Sequence, residues 1–323
     1  MSSAPLVGAV QAAGDVIVAV DRQGQVVGVD RQGRARWKIA TQNSPNENAA
    51  PVIVDGTLYF TGAKEFIVAS ARTGSVASRV PLDSSAAHLF GQRVAVSSGL
   101  GVYPTSSAIA VFDTATGATV RQVPVPGGAL MTPAIADGRV FVVSQTGAFT
   151  VIDPSAGEVQ FQVPTGASQP VASAVLLSGS RAFFGDRKGM IVCVDIDARQ
   201  VAWKVPLKGA GPMGVFQDIV ASADGRSLFV FASDAIFALS AADGSLLFEP
   251  LTGASTPPLS RDGKLYFGTI DKTLAVVDEA TGKAVASLPM KAVLSTRPQP
   301  DGQRLVVGDR TGRVFVISPD AIK

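Results

Sequence analysis

The chain of 323 residues has one cysteine and one histidine, and that scarcity bounds its chemistry. Cys193 has no partner for an internal disulfide, and Cys-x-x-Cys metal ligation is excluded. It lies in the apolar run "GMIVCVD", the setting of a buried thiol rather than a reactive one. His88 alone supports neither a histidine metal cluster nor a Ser-His-Asp triad, and a lone histidine at a strand start reads as structural. The polar groups that could recognise a ligand fall in or beside loops. Gln42, Asn43, Asn46, Glu47 and Asn48 crowd "ATQNSPNENAAP", a set of donors and acceptors suited to recognition, though a solvated surface loop has the same composition. Tyr103 lies in a second long loop, "SSGLGVYPTSS", which either caps an axis or is a tolerated insertion. His88, Gln169, Met213, Phe216, Gln217 and Arg297 sit near the starts of strands. Arg297, among small and apolar neighbours, requires a carboxylate, a backbone carbonyl or a bound anion, with an internal carboxylate the first expectation. Asp-Arg pairs open "DRQG" at Asp21, "DRKG" at Asp186 and "DRTG" at Asp309, which reads as one duplicated turn rather than three ligand sites.

Positioning those residues requires many short strands. The chain is 46% hydrophobic but only 7% aromatic, with 33 Gly and 20 Pro, a composition that suits strands joined by tight turns. Lys plus Arg is 28 against 26 for Asp plus Glu, so no strong positive field draws the chain to phosphate backbones or anionic lipid. Nucleic acid is therefore not an expected partner. No apolar run approaches the ~18 residues of a membrane helix, so direct membrane insertion is not expected. The opening "MSSAPLVGAV" has no basic segment followed by an apolar one, so no export signal stands at the start of the sequence as written.

One unit recurs along the whole chain. Its clearest copies begin at Met131 and Ser255, each with four short apolar runs separated by Gly- or Asp-containing turns, which predicts a four-stranded antiparallel meander. The first turn carries Gly at 14, 56, 91, 138, 179, 225, 263 and 302, eight turns in all. The third turn is an Asp-x-x-Thr-Gly type loop with Gly at 33, 74, 117, 157, 244 and 282, and Arg199 in its place in one unit. The mean spacing from Gly33 to Gly282 is about 41 residues, within the ~40–45 that one four-stranded propeller blade takes. The expectation is an all-β, eight-bladed β-propeller of four-stranded antiparallel blades, with a last blade that supplies three strands before the sequence ends. It forms a single domain over 1–323, with blades near 4–40, 47–83, 86–126, 129–167, 169–208, 211–252, 254–290 and 294–320. Asp113, Asp153, Asp195 and Asp278 open the third turn, where a short carboxylate can accept from the backbone N–H groups just after it. Four residues after the turn glycine an aromatic recurs at Trp37, Phe161, Trp203 and Phe248, while Ser78, Arg121 and Ala286 fill the same column elsewhere, and the aromatics read as packing between blades.

The runs "FDTATG", "VDEATGKAVA" and "VDIDARQVAWKV" resemble the Ala-x-Asp-x-x-Thr-Gly-x-x-x-Trp repeat of the PQQ-type (quinoprotein-like) β-propeller family, and the resemblance extends from Pro5 to Pro319. That family includes quinoprotein dehydrogenases and the outer-membrane barrel-assembly lipoprotein BamB. The resemblance implies binding loops at one end of the propeller, before each inner strand and between the second and third strands. It also implies a periplasmic or envelope-associated protein. Three functions are compatible with it. The first is a non-catalytic scaffold engaging a protein partner in cell-envelope assembly, monomeric by itself and without a cofactor. The second is a ligand- or PQQ-binding sensor domain excised from a membrane receptor or kinase. The third is a quinoprotein dehydrogenase, against which the single cysteine speaks, because those enzymes carry an adjacent cysteine pair, calcium ligands and large insertions. Within the first reading, "PTGASQP" and "LKGAGPM" lack the charged Leu-Arg and paired-Asp elements by which the assembly lipoprotein docks its barrel, so the partner stays open. On this reading the binding residues are Gln42, Asn43, Asn46, Asn48, His88, Tyr103, Gln169, Phe216, Gln217 and Arg297, with no catalytic or metal-ligating residue.

Overall fold

Short β-branched runs alternating with turns that need positive φ leave the backbone one economical solution, a succession of hairpins. A computed structural model describes residues 6–41, 50–61, 65–81, 94–129, 132–167, 174–209 and 218–322, the side chains of 7–9 excepted. Blade 1 holds β1 (Leu6–Ala13), β2 (Val16–Asp21), β3 (Gln25–Asp30) and β4 (Ala35–Ala40). Blade 2 holds β5 (Val52–Val54), β6 (Thr57–Thr61), β7 (Glu65–Ser70) and β8 (Val76–Pro81), and blade 3 holds β9 (Ala95–Ser97), β10 (Leu100–Pro104), β11 (Ala108–Asp113) and β12 (Thr119–Pro124). Blade 4 comprises β13 (Ala134–Ala136), β14 (Arg139–Val143), β15 (Ala148–Asp153) and β16 (Glu158–Pro164). Blade 5 comprises β17 (Leu176–Ser178), β18 (Arg181–Gly185), β19 (Met190–Asp195) and β20 (Gln200–Pro206). Blade 6 comprises β21 (Ile219–Ala221), β22 (Ser227–Ala232), β23 (Ala235–Ser240) and β24 (Leu251–Thr252). Blade 7 runs through β25 (Leu259–Arg261), β26 (Lys264–Gly268), β27 (Thr273–Asp278) and β28 (Ala284–Pro289), and blade 8 stops at β29 (Gln299–Asp301), β30 (Arg304–Gly308) and β31 (Val314–Ile317). Each sheet is a meander whose neighbours in sequence are neighbours in space, seven sheets four-stranded and the last three-stranded. The helical content among the described residues is one 3-10 turn at Pro319–Ala321.

Burial follows from stacking sheets radially. The second and third strands of a blade are covered on both faces by the neighbouring blades, so β2 and β11 are buried almost throughout. Outer strands face solvent on one side and alternate with period two, as in β16 and β20. Cys193 sits in the middle of β19 with no exposed surface, and burial pushes its thiol up to about 12, so it is the inert core residue the sequence implied.

First turns use left-handed residue pairs: Asp55-Gly56, Asp137-Gly138 and Asp262-Gly263 all have positive φ at both positions. Blade 3 departs from the sequence expectation. It turns at Ser98-Gly99 (φ 50° and 78°), inside the run expected to form a long loop, while Gly91 lies outside the described residues. Strand β10 begins directly after Gly99, and it carries Tyr103 into the sheet.

Four of the seams between blades are joined by the aromatic column, while Arg121 takes its place against Gly157. Trp37 packs over the turn glycine of the next blade, Gly74, where an added Cβ would meet the indole at 2.6 Å, and its Nε1 donates to the Arg72 carbonyl at 3.1 Å. Trp203 covers Gly244 and Phe248 covers Gly282 in the same way. Where Arg199 replaces the glycine it keeps the left-handed backbone (φ 53°), and its guanidinium lies 4.7 Å from the centre of the Phe161 ring. Inner strands are stitched by a second device. Ser255 Oγ donates to the Leu294 carbonyl at 3.0 Å, and Ser295 Oγ donates to the Leu6 carbonyl at 3.0 Å, so the bond joining blade 7 to blade 8 is repeated where blade 8 meets blade 1. Ring closure is reinforced at the opposite end of the sheets, where Arg31 pairs with Asp301 through both guanidinium nitrogens, Nη2 reaching Oδ1 at 2.8 Å.

Candidate functional site

The end of the propeller that carries the segments before the inner strands also carries the turns between second and third strands. Ala254 bridges Thr269, and Leu294 bridges Asp309, which places both kinds of segment side by side in blades 7 and 8. The turns there are rigid. Asp21 Oδ1 accepts from Gln23 N (2.9 Å) and Gln25 N (3.0 Å), and Asp186 Oδ1 repeats this with Lys188 N and Met190 N, both at 2.9 Å. Asp309 Oδ1 accepts from Thr311 N, Thr311 Oγ1 and Arg313 N, while its buried Oδ2 has no hydrogen-bond partner among the described residues. The three Asp-Arg turns are thus one structural cap used three times.

Arg297, just before β29, reaches past blade 7 to blade 6, where its Nη1 donates to Asp218 Oδ2 at 3.2 Å. An internal carboxylate is therefore its partner, as the sequence suggested, and the pair ties two non-adjacent blades across the mouth. Its Nε is buried and finds no acceptor among the described residues. Asp218 escaped sequence reasoning because its partner lies 79 positions away. The Ser-Thr stitch was also missed, although the dipeptide at 255–256 and again at 295–296 signalled it. Thr256 Oγ1 and Thr296 Oγ1 accept from Gly268 N and Gly308 N at 2.9 and 2.7 Å.

Tyr103 is not a loop residue. It is 5% exposed in β10, its hydroxyl shares a 2.7 Å hydrogen bond with Thr119 Oγ1, and its ring packs 5.4 Å from Phe66 and 6.0 Å from Phe112. The cause is local: Gly101 leaves the space that the Phe112 ring occupies, and the strand carries Tyr103 inward with it. Contrary to the sequence expectation, Tyr103 belongs to the core and not to a binding loop. Gln42, Asn43, Asn46, Glu47, Asn48, His88, Gln169, Met213, Phe216 and Gln217 lie outside the described residues.

The aspartates that open the third turns are bound into them. Asp113 Oδ1 accepts from Thr116 N at 2.7 Å and from its hydroxyl at 2.8 Å, and these bonds hold its carboxyl below the usual carboxylate range. Asp278 does the same with Thr281, whose hydroxyl bond is the main cause of its lowered pKa. Among the described residues no three His, Cys, Asp or Glu side chains converge as a metal-binding group. No helix among the described residues is long and apolar enough to cross a membrane.

Eight blades, in which the Asp, Ser and Thr side chains described above cap turns and tie neighbouring blades, make up the fold. The profile of the family described as outer membrane protein assembly factor BamB matches residues 2–88, 64–215 and 187–321, and the chain belongs to that family. No curated protein sequence matches it. Among solved structures, the computationally designed Ika8 protein superposes with a TM-score of 0.76 at 18% identity, covering 98% of this chain and 97% of that one. BamB from Moraxella catarrhalis gives 0.74 at 18% identity, covering 96% and 94%. A europium-containing methanol dehydrogenase gives 0.74 at 11% identity, covering 95% and 83%. At such identities these likenesses establish the fold, which a designed protein, an assembly factor and an enzyme share.

Proposed function

We infer that the chain is a non-catalytic scaffold of outer-membrane protein assembly, working in the periplasm without a cofactor and engaging a protein partner through the loops around its channel mouth. The observation that carries this reading is the family match, which runs from residue 2 to residue 321. The turn-bound carboxylates and the inert Cys193 support it, since the groups best suited to catalysis serve the fold. Loops on a rigid frame recognise partners at low ordering cost, and Asn43 and Gln169 stand in the segments that lead into inner strands.

The test is a photo-crosslinking amino acid placed at Asn43 or Gln169 in cells, with Val120, exposed on an outer strand, as control position. Adducts at the first two positions to a component of outer-membrane protein assembly, and none at Val120, are expected. Adducts absent at both, or dye-linked turnover of alcohols or aldose sugars by the purified chain with added PQQ and calcium, would overturn the reading.

A further inference from the structure

The turns between second and third strands follow one pattern in four blades and break it in a fifth. In Asp21-Arg22-Gln23-Gly24, Ser144-Gln145-Thr146-Gly147, Asp186-Arg187-Lys188-Gly189 and Asp309-Arg310-Thr311-Gly312 the second residue is Arg or Gln, and the fourth is a glycine with φ between 77° and 82°. Blade 7 has Thr269-Ile270-Asp271-Lys272, with an aliphatic residue in the second place and a lysine in the fourth. Lys272 keeps the left-handed backbone at φ 61°, which a residue with a Cβ adopts at a cost that glycine avoids. Arg199 offsets the same strain by stacking on Phe161, but the Lys272 side chain is exposed and has no partner among the described residues. Ile270 is 53% exposed, whereas the other exposed large apolar side chains among the described residues lie on or beside outer strands. Both departures leave a side chain in solvent at a cost to the isolated chain.

This turn belongs to an arc of cations. Met290 N donates to the Lys272 carbonyl at 2.7 Å, which sets Lys291 beside Lys272, and Arg310 N donates to the Val293 carbonyl at 3.0 Å, which joins the blade 8 turn to the same connection. Lys272, Lys291, Arg310 and Arg313 are all exposed, and none has a carboxylate partner among the described residues. Asp309 is fully buried under its turn, so a visitor meets the Arg310 guanidinium and not that carboxylate. Among the described residues the exposed carboxylates at this end of the propeller are Asp271, in the arc, and Asp234 in blade 6. At the opposite end of blades 7, 8 and 1 arginines are paired instead, Arg31 and Arg304 with Asp301, Arg34 with Asp30, and Arg261 with Asp262.

We propose that Ile270, Lys272, Lys291, Arg310 and Arg313 dock an acidic segment of a partner protein, an extended stretch that carries an apolar residue between carboxylates. The cations steer and select the segment, and the apolar contact on Ile270 anchors it. The chain as a whole has 28 Lys and Arg against 26 Asp and Glu, so it holds no positive field broad enough for a bilayer or a nucleic-acid backbone, whereas four cations around one aliphatic side chain match a short acidic stretch. The proposal rests on the scaffold reading in taking a protein as partner, and goes beyond it in placing the contact on blades 7 and 8 and in giving its chemistry.

The probe is a fluorescein-labelled peptide of repeated Asp-Leu-Glu, titrated onto the full chain at ~0.15 M salt, where attraction between distant exposed charges is screened. Saturable binding is expected, and it should be lost both with Ser in place of Leu and with Asn and Gln in place of the acids. The double variant Ile270→Gln, Lys272→Gly gives blade 7 the glutamine and glycine of the blade 4 turn. It should melt at or above the temperature of the unsubstituted chain while binding the peptide about tenfold more weakly. Lys188→Gln with Lys208→Gln, beside the same kind of turn in blade 5, should leave binding unchanged. No saturable binding, unchanged binding by the double variant, an equal loss from the blade 5 pair, or displacement of the peptide by phosphatidylglycerol vesicles or single-stranded DNA would each overturn the proposal, the last by assigning the arc to a polyanion. A peptide that fails here while crosslinks at Asn43 or Gln169 persist removes this site alone; peptide binding without those crosslinks removes the assembly role alone.

Discussion

Short carboxylates at turns do much of the local work in this molecule, and Asp301 shows how one of them also holds the ring. Its side chain is 9% exposed, and the Arg31 guanidinium beside it holds its carboxyl below the ordinary range, with Arg304 adding to the effect. A carboxyl whose pKa is lowered by folding contributes stability that is complete above its unfolded value near ~3.9 and lost as pH falls through the folded value. Asp301→Asn removes one partner of a partly buried charged pair and should cost about 2 kcal/mol at pH 7. Chemical denaturation of both proteins at pH 7 and pH 3 checks it: the gap should narrow on acidification, and a gap independent of pH would show that the pair does not close the ring electrostatically. Arg199 shows the opposite balance. Its left-handed backbone costs about 1 kcal/mol relative to glycine, and its stacking on Phe161 offsets a similar amount, so the missing glycine in blade 5 is tolerated.

At the scale of the strand and its turns, glycine serves two purposes that substitution can separate. Gly14 and Gly74 both have positive φ, at 61° and 70°, but a Cβ at Gly14 would meet nothing within 4 Å, whereas one at Gly74 would lie 2.6 Å from the Trp37 ring. Gly14→Ala should therefore cost only the left-handed strain, about 1 kcal/mol. Gly74→Ala should cost at least about 1 kcal/mol more, because the indole must leave its seat and its bond to Arg72. Equal losses in thermal melts of the two variants would mean that the aromatic column is loosely seated and does not join the blades.

For the whole molecule, the decisive feature is how the first and last described blades meet. Blade 8 meets blade 1 through the Ser295 stitch, the Arg31–Asp301 pair and the apolar cluster of Val10, Ile17 and Val306, and among the described residues its sheet has three strands where the others have four. Opening should begin there, since local stability tracks buried contacts and paired backbone. Native-state hydrogen exchange should find β29–β31 less protected than β13–β20, where both flanking blades are complete. Uniform protection around the ring would show that the three-stranded blade is no weaker than its neighbours.

How much is legible in the sequence divides along the range of the forces. Eight units, the four-strand meander, the carboxylate-capped turns and the aromatic column can be read because a two-residue period and a positive-φ turn are set within a few residues. The three strands of the last described blade are legible too, in the final repeat. Gly99 is hidden as a turn because Ser-Gly fills the left-handed pair as well as Asp-Gly does, and with the turn displaced, Tyr103 reads as a loop residue. Only the tertiary structure decides which blades touch once the ring has closed. Asp218 answers Arg297 from two blades away, and Asp301 answers Arg31 across 270 positions. Those pairings join residues tens to hundreds of positions apart, and no local preference encodes a partner that arrives only by closure.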